Sequence, residues 1–256
     1  MLRGSFPKMI WYAGNCCIIR EHGGALHTMP AFARKASGYV FLWAIAPLVV
    51  ADRIGGFIGK IVEARQDRPD TDGQGRAHQK PAREDDKPRP LGVYGQSKLG
   101  GELAVRERLK SHIILRTSWI FSAHGQNFVK TILRLANTKP ELRVVADQIG
   151  GPTAADDVAT AILDIIAIST APKFGQWGTY HFSGTPAVSW FEFANAIVAH
   201  RGAVVLPIAT QDYPLPARRP SNSVLDCSRI YSVFGIVQPD WRVALRNVLN
   251  ELAVKS

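Results

Sequence analysis

The chain has 256 residues, 46% hydrophobic and 20% charged, which excludes a fibrous or disordered protein and is enough for one large α/β domain or a domain with a smaller lobe. Its formal net charge of +10 is compatible with a nucleic-acid, membrane or anionic small-molecule partner, but it comes without a run of five basic residues and without aromatics interleaved among them, so nucleic-acid binding is disfavoured. Cys16, Cys17 and Cys227 form no CxxC and no zinc-like spacing with histidine, which indicates no metal site and a reducing cytoplasm.

The first eighty residues are disorderly. "MLRGSFPKMIWYAGNCCIIREHGGALHTMPAFARKAS" scatters Gly, Pro, Cys and Trp without a period of 3.6 or 2.0. "GYVFLWAIAPLVVA", residues 38–51, is the one long apolar run, too short and too Pro-interrupted for a membrane span and too far from Met1 for a signal peptide. Residues 63–90 are polar, Pro/Gly-rich and read as a linker.

From residue 91 the elements follow in order. "YGQSKLGGELAVRERLKS", 94–111, places Leu99, Leu103, Val105 and Leu109 among charges and predicts an amphipathic helix. "HIILRTSWIF", 112–121, predicts a buried parallel strand. "NFVKTILRLANT" is a helix with Phe128, Ile132 and Leu135 at helical spacing, stopped before Pro140, and "LRVVADQ" a short strand. "GPTAADDVATAILDIIAIS" opens as a helix should, with Asp156 and Asp157 early. "GTYHFSG" is a strand, and "SWFEFANAIVAHRG" a helix with Ser189 as N-cap, Glu192 closing a capping box and Gly202 at its end. "PDWRVALRNVLNELA" supplies a last helix. Strands alternating with helices imply a parallel sheet covered on both faces, and there is no internal repeat.

Tyr94 and Lys98 stand four apart, on one helical face. A free phenol, with a pKa near ~10, is a poor proton donor at neutral pH, and a neighbouring cation favours its ionised form and makes it a better relay. Reduction of a ketone by hydride needs such a group, because the oxygen gains a proton as the carbon gains the hydride. The spacing alone is weakly specific.

The surrounding text is far more specific. "REDDKPRPLGVYGQSKLGGE", "ILRTSWIF", "NFVKTILRLA", "VVADQIGGPT", "YHFSG" and "PARRPSNSVLDCSRI" follow one another over residues 81–256. Together they resemble the dTDP-4-dehydrorhamnose reductase family of the extended short-chain dehydrogenase/reductase superfamily. The resemblance implies the C-terminal part of a Rossmann-like, doubly wound parallel sheet with a small substrate lobe, an NADPH or NADH cofactor and a dTDP-linked 4-keto sugar, in nucleotide-sugar and polysaccharide biosynthesis. It implies Tyr94 as proton donor to the C4 oxygen, Lys98 acting on that phenol and on the nicotinamide ribose, Trp119 beside the sugar, and Arg218 and Arg219 near the diphosphate. It leaves Mg2+ and a homodimer open.

Residues 1–80 depart from that pattern. No strand followed by a glycine-rich pyrophosphate turn is legible: Gly55, Gly56 and Gly59 in "RIGGFIG" come about fifty residues late, and Gly23 and Gly24 fit no better. Thr71 is a feeble candidate for the hydroxyl that polarises the ketone, with no strand around it. The N-terminal βαβ units therefore read as missing or replaced, which would leave residues 112–121 with an open edge. A change of reading frame upstream of residue 80 accounts for both halves, and activity is expected to be impaired. The alternatives are a non-catalytic relative resembling the regulatory subunit of methionine adenosyltransferase, and a basic protein that binds membrane surfaces through residues 38–61.

Overall fold

In a computed structural model the chain is described at residues 10–13, 16–19, 59–62, 80–199, 201–213 and 219–254. In chain order the elements are β1 (Ile10–Ala13), β2 (Cys16–Ile19), β3 (Gly59–Val62), α1 (Val93–Arg108), β4 (Ile113–Arg116), β5 (Ile120–Phe121), α2 (Phe128–Ala136), β6 (Glu141–Val145), β7 (Ile149–Gly150) and β8 (Thr153–Ala154). There follow α3 (Ala155–Ser169), β9 (Gly178–His181), β10 (Val188–Ser189), α4 (Trp190–Val198), β11 (Val204–Ile208), α5 (Ser228–Phe234) and α6 (Trp241–Val254).

The centre is a three-stranded parallel sheet in the order β3–β4–β9. Strand alternation splits β4 between two covers. Ile113 and Leu115 pack with Val158, Ile165, Ile230 and Phe234 of α3 and α5, while Ile114 packs with Val105 of α1. The sheet is thus covered on both faces, as expected. The expected open edge of β4 is not found, because β3 pairs along it from Gly59↔Ile113 to Val62↔Arg116.

A second hydrophobic core is built from other elements. Phe193, Ala194 and Ile197 of α4, Val129 and Ile132 of α2, Leu142 and Val144 of β6, Val205 of β11, and Trp241 and Leu245 of α6 close on one another. β6 and β11 pair in parallel beneath them. Helix α4 starts as its sequence specifies: the Ser189 hydroxyl accepts from the Glu192 N–H at 3.1 Å, and the Glu192 carboxylate accepts from the Ser189 N–H at 2.7 Å. Removing the hydroxyl with Ser189→Ala is expected to cost about 1 kcal/mol, lowering Tm by about 2–4 °C in a thermal melt.

Two expectations are corrected. The predicted strand 112–121 is two strands, β4 and β5, because the chain turns at Trp119, whose φ is 47°. Helix α1 does not bury an apolar stripe: Leu103 is 53% exposed, and the buried residues are Gly101, Glu102 and Val105. β11 and α5 are additions that the sequence reading did not contain. Among the described residues no helix is long and apolar enough to cross a membrane, and residues 38–51 lie outside them.

Candidate functional site

Helix α1 begins at Gly92, which offers no side-chain cap, and its first turn has no acidic residue. Gly95, Gly100 and Gly101 weaken it further, each by roughly 1 kcal/mol relative to alanine. The helix is held instead by one charged residue that faces the sheet. Glu102, 2% exposed, accepts from Arg116 Nε at 2.9 Å and Nη2 at 2.8 Å, a two-pronged pair with a guanidinium that is itself 1% exposed. Arg106 adds a third donor to Glu102 at 3.2 Å and reaches Thr179 of β9 at 2.8 Å.

The network continues into β9. Arg116 Nη1 lies 3.3 Å from His181 Nε2, and His181 Nδ1 lies 3.1 Å from the Ala82 carbonyl. A carbonyl only accepts, so Nδ1 carries the proton and Nε2 accepts from the guanidinium. Burial, then the Arg116 charge, push His181 from 6.5 down to about 3. Between those values the unfolded chain binds a proton that the folded chain does not, so stability rises with pH through the window and is lost as pH falls. The His181 contribution is therefore complete above about pH 6.5 and should fall by about 2 kcal/mol between pH 7 and 5. Asp226, held low by its bonds to Ser228, acts in the same direction. Glu84 and Asp157, raised by burial, act in the opposite one. Urea unfolding across this range should show the loss, and His181→Gln should flatten it.

These contacts also orient α1. Val105 packs on Ile114, and Glu102, three residues earlier in the helix, meets Arg116, two residues later in the strand. Helix and strand therefore run in opposite directions. Lys98 and Tyr94 lie one and two turns beyond Glu102, about 6 and 12 Å along the helix axis towards the carboxyl end of the sheet. Ligands bind at that end in open α/β sheets. Tyr94 is 50% exposed, and Lys98 Nζ stands 5.1 Å from the centroid of its ring. The structure thus brings this predicted pair together on an accessible rim.

Trp119 leaves β4 at the same rim. It is 5% exposed and stacks on Trp190 with ring centroids 3.5 Å apart and planes 9° apart. Its left-handed backbone is unusual for a bulky residue and directs the indole onto Gly150. A Cβ on Gly150 would overlap that indole and come within 2.6 Å of Ser223 Oγ, so only glycine fits there. The segment entered by Arg219 runs beside this strand, with the Ile149 N–H donating to the Ser221 carbonyl at 2.8 Å. Trp119 and the Arg219 segment thus converge on β7. Arg219 is partly buried.

Several expected residues cannot be placed with these. Arg218, Thr71, Gly23, Gly24, Gly55 and Gly56 lie outside the described residues, and Gly59 opens strand β3 rather than a turn. Glu102, Arg116 and His181 were missed. A signal existed: an arginine inside the apolar strand "HIILRTSW" requires an anion, and Glu102 continues the face of Tyr94 and Lys98 by one more turn. Among the described residues no cluster of three His, Cys, Asp or Glu has a metal-binding arrangement.

Comparison with known proteins gives one consistent match. The RmlD substrate-binding domain family matches residues 71–254. A dTDP-4-dehydrorhamnose reductase of Aggregatibacter actinomycetemcomitans is 46% identical over 167 residues, which is 62% of this chain and 57% of that protein. The chain thus spans under three fifths of this relative's length. Among solved structures, a dTDP-4-dehydrorhamnose reductase of Clostridium acetobutylicum superposes with a TM-score of 0.67 at 30% identity, over 79% of this chain and 68% of that one. The Bacillus anthracis enzyme, solved in complex with NADP, gives a TM-score of 0.63 at 34% identity over the same shares.

Proposed function

The chain belongs to the dTDP-4-dehydrorhamnose reductase family, and on that premise we propose that residues 81–256 are the catalytic and sugar-holding part of an NAD(P)H-dependent reductase of dTDP-4-dehydro-L-rhamnose, yielding dTDP-L-rhamnose for polysaccharide synthesis. The observation that carries this reading is the half-exposed Tyr94 with the Lys98 ammonium over its ring at the carboxyl end of the sheet. The NADP complex of the Bacillus anthracis relative supports the choice of cofactor.

An exposed phenol beside a cation fits a nicotinamide cofactor and a keto sugar, and when bound that cofactor supplies the hydride to the ketone carbon. Tyr94 Oη gives its proton to the C4 oxygen as charge develops there. The Lys98 ammonium favours the phenolate that remains, and on the opposite side it offers donors to the ribose. Trp119 forms a rigid wall beside the sugar, fixed by Trp190. Arg218 and Arg219 supply guanidinium groups suited to a diphosphate.

Residues 1–70, upstream of the family match, are, in this reading, foreign to the reductase and the product of a shifted frame. Translating the coding DNA upstream in its other two frames checks this: a strand followed by a glycine-rich turn is expected, and its absence from both frames would remove the explanation. Turnover by this chain is expected to be impaired, because no pyrophosphate turn is legible in it. A reducing cytoplasm holds the cofactor and is its expected location.

Two measurements test the proposal. NADPH at about a hundred times its Kd should stabilise the full chain by about 2.7 kcal/mol and raise its Tm by several degrees. NADPH oxidation should then depend on the dTDP-linked keto sugar. Neither a thermal shift nor sugar-dependent oxidation is the result that would overturn the assignment.

A further inference from the structure

We infer that Glu102 and Arg116 are positioning residues, whose paired charges fix the placement of the Tyr94–Lys98 face above the carboxyl end of the sheet. This inference rests on the proposed reduction for its consequence in turnover, and on geometry alone for its consequence in structure.

Apolar packing gives α1 little hold. It buries Gly101, Glu102 and Val105, leaves Val93, Tyr94 and Leu103 in solvent, and has no side-chain cap. Val105 on Ile114, with the partly buried Leu109 beside them at the C-terminal end, is a small cluster that gives the helix little resistance to rolling about its axis. The two-pronged Glu102–Arg116 contact removes that freedom, because both carboxylate oxygens are engaged by two nitrogens of one planar guanidinium. The guanidinium is fixed in turn. Its remaining Nη1 donates to His181, which stays neutral and acceptor-competent because its Nδ1 proton is committed to the Ala82 carbonyl. Arg106, bridging Glu102 and Thr179, ties the same turn to β9.

The hold thus runs from β9 through β4 to the middle of α1, and the two residues of the proposed chemistry continue the Glu102 face by one and two turns. Rolling a helix of side-chain radius about 5 Å by only 15° displaces an outward group by about 1 Å. A misplacement of that size is enough to cost about a hundredfold in rate.

The distinguishing experiment uses the full chain with the double substitution Glu102→Leu/Arg116→Met, which replaces both buried charges by apolar groups of similar size. Such replacements commonly preserve or improve stability, so the variant should fold. A purely structural role predicts that activity follows stability. Positioning predicts instead that kcat falls by about a hundredfold with KM changed less than about twofold and Tm preserved, while Glu102→Asp with Arg116 intact recovers a large part of kcat.

Hydrogen exchange is followed in the same samples. The amides of residues 93–102 should exchange about tenfold or more faster in the double variant, with β4 and β9 still protected. If the unmodified chain shows no turnover, the proposed reduction fails for this chain and hydrogen exchange decides the inference alone. Unchanged kcat in an active chain, or unchanged exchange of α1 in an inactive one, overturns it.

Discussion

Glu102→Leu alone should be among the most destabilising single substitutions in the described part of the chain. It leaves the Arg116 guanidinium, 1% exposed, with His181 as its remaining side-chain partner, and that ring is neutral. Arginine does not escape by losing its proton, so the charge is stranded in a low-dielectric interior. Breaking a buried pair from one side costs about 3–5 kcal/mol, which in a chain of this size lowers Tm by about 10 °C or more. Arg116→Met is expected to cost less. The carboxylate it strands keeps Arg106 at 3.2 Å, and it is able to take up a proton and become neutral. Thermal melts of the two variants should show this order, and equal losses would mean that Arg106 contributes nothing to Glu102.

The order of these costs reflects what was legible in the sequence. Local signals were mostly reliable: Ser189 and Glu192 form the capping box that their spacing specifies, and Tyr94 and Lys98 meet because a helix enforces a four-residue period, whereas Gly202, expected to end the helix that Ser189 caps, lies beyond its last residue, Val198. The other candidate residues were named from family text alone, since nothing in the pattern of "TSW" reveals that Trp119 turns back with a left-handed backbone to stack on Trp190, seventy-one positions away.

Partnerships across the chain were not legible. Residue periodicity placed Leu103 on the buried face of α1, yet the helix presents Glu102 to the sheet, because an arginine at the end of β4 makes a carboxylate the better occupant of that position. The strand predicted through 112–121 is interrupted for a related reason. Its composition is β-like throughout, but Thr117–Trp119 must leave the sheet for the indole to reach Gly150. The edge of β4 is covered by β3, from a region that shows no periodicity, so pairing there owes nothing to a readable pattern.

Tyr94→Phe is the second large effect. It removes one oxygen from a side chain that is half exposed and whose ring remains beneath Lys98, so folding should be unaffected and Tm should stay within about a degree. Loss of the proposed proton donor should lower turnover by about 10²–10⁴-fold. NADPH binding, read as a thermal shift, should persist because the lysine is intact. Lys98→Met should lower both turnover and the NADPH shift, since in the proposed chemistry it serves the phenol and the ribose together.

The most direct test is isotopic, because it registers even slow turnover. The full chain and its Tyr94→Phe variant are incubated with dTDP-4-dehydro-L-rhamnose and NADPH deuterated at the transferred position of nicotinamide C4, and the sugar product is analysed by mass spectrometry. Deuterium at the sugar C4 in the unmodified chain, formed at least a hundredfold more slowly in the variant, is the expected result. Equal deuterium incorporation by the two proteins would contradict a role for Tyr94 as the proton donor, and none in either would contradict reduction of this sugar by this chain.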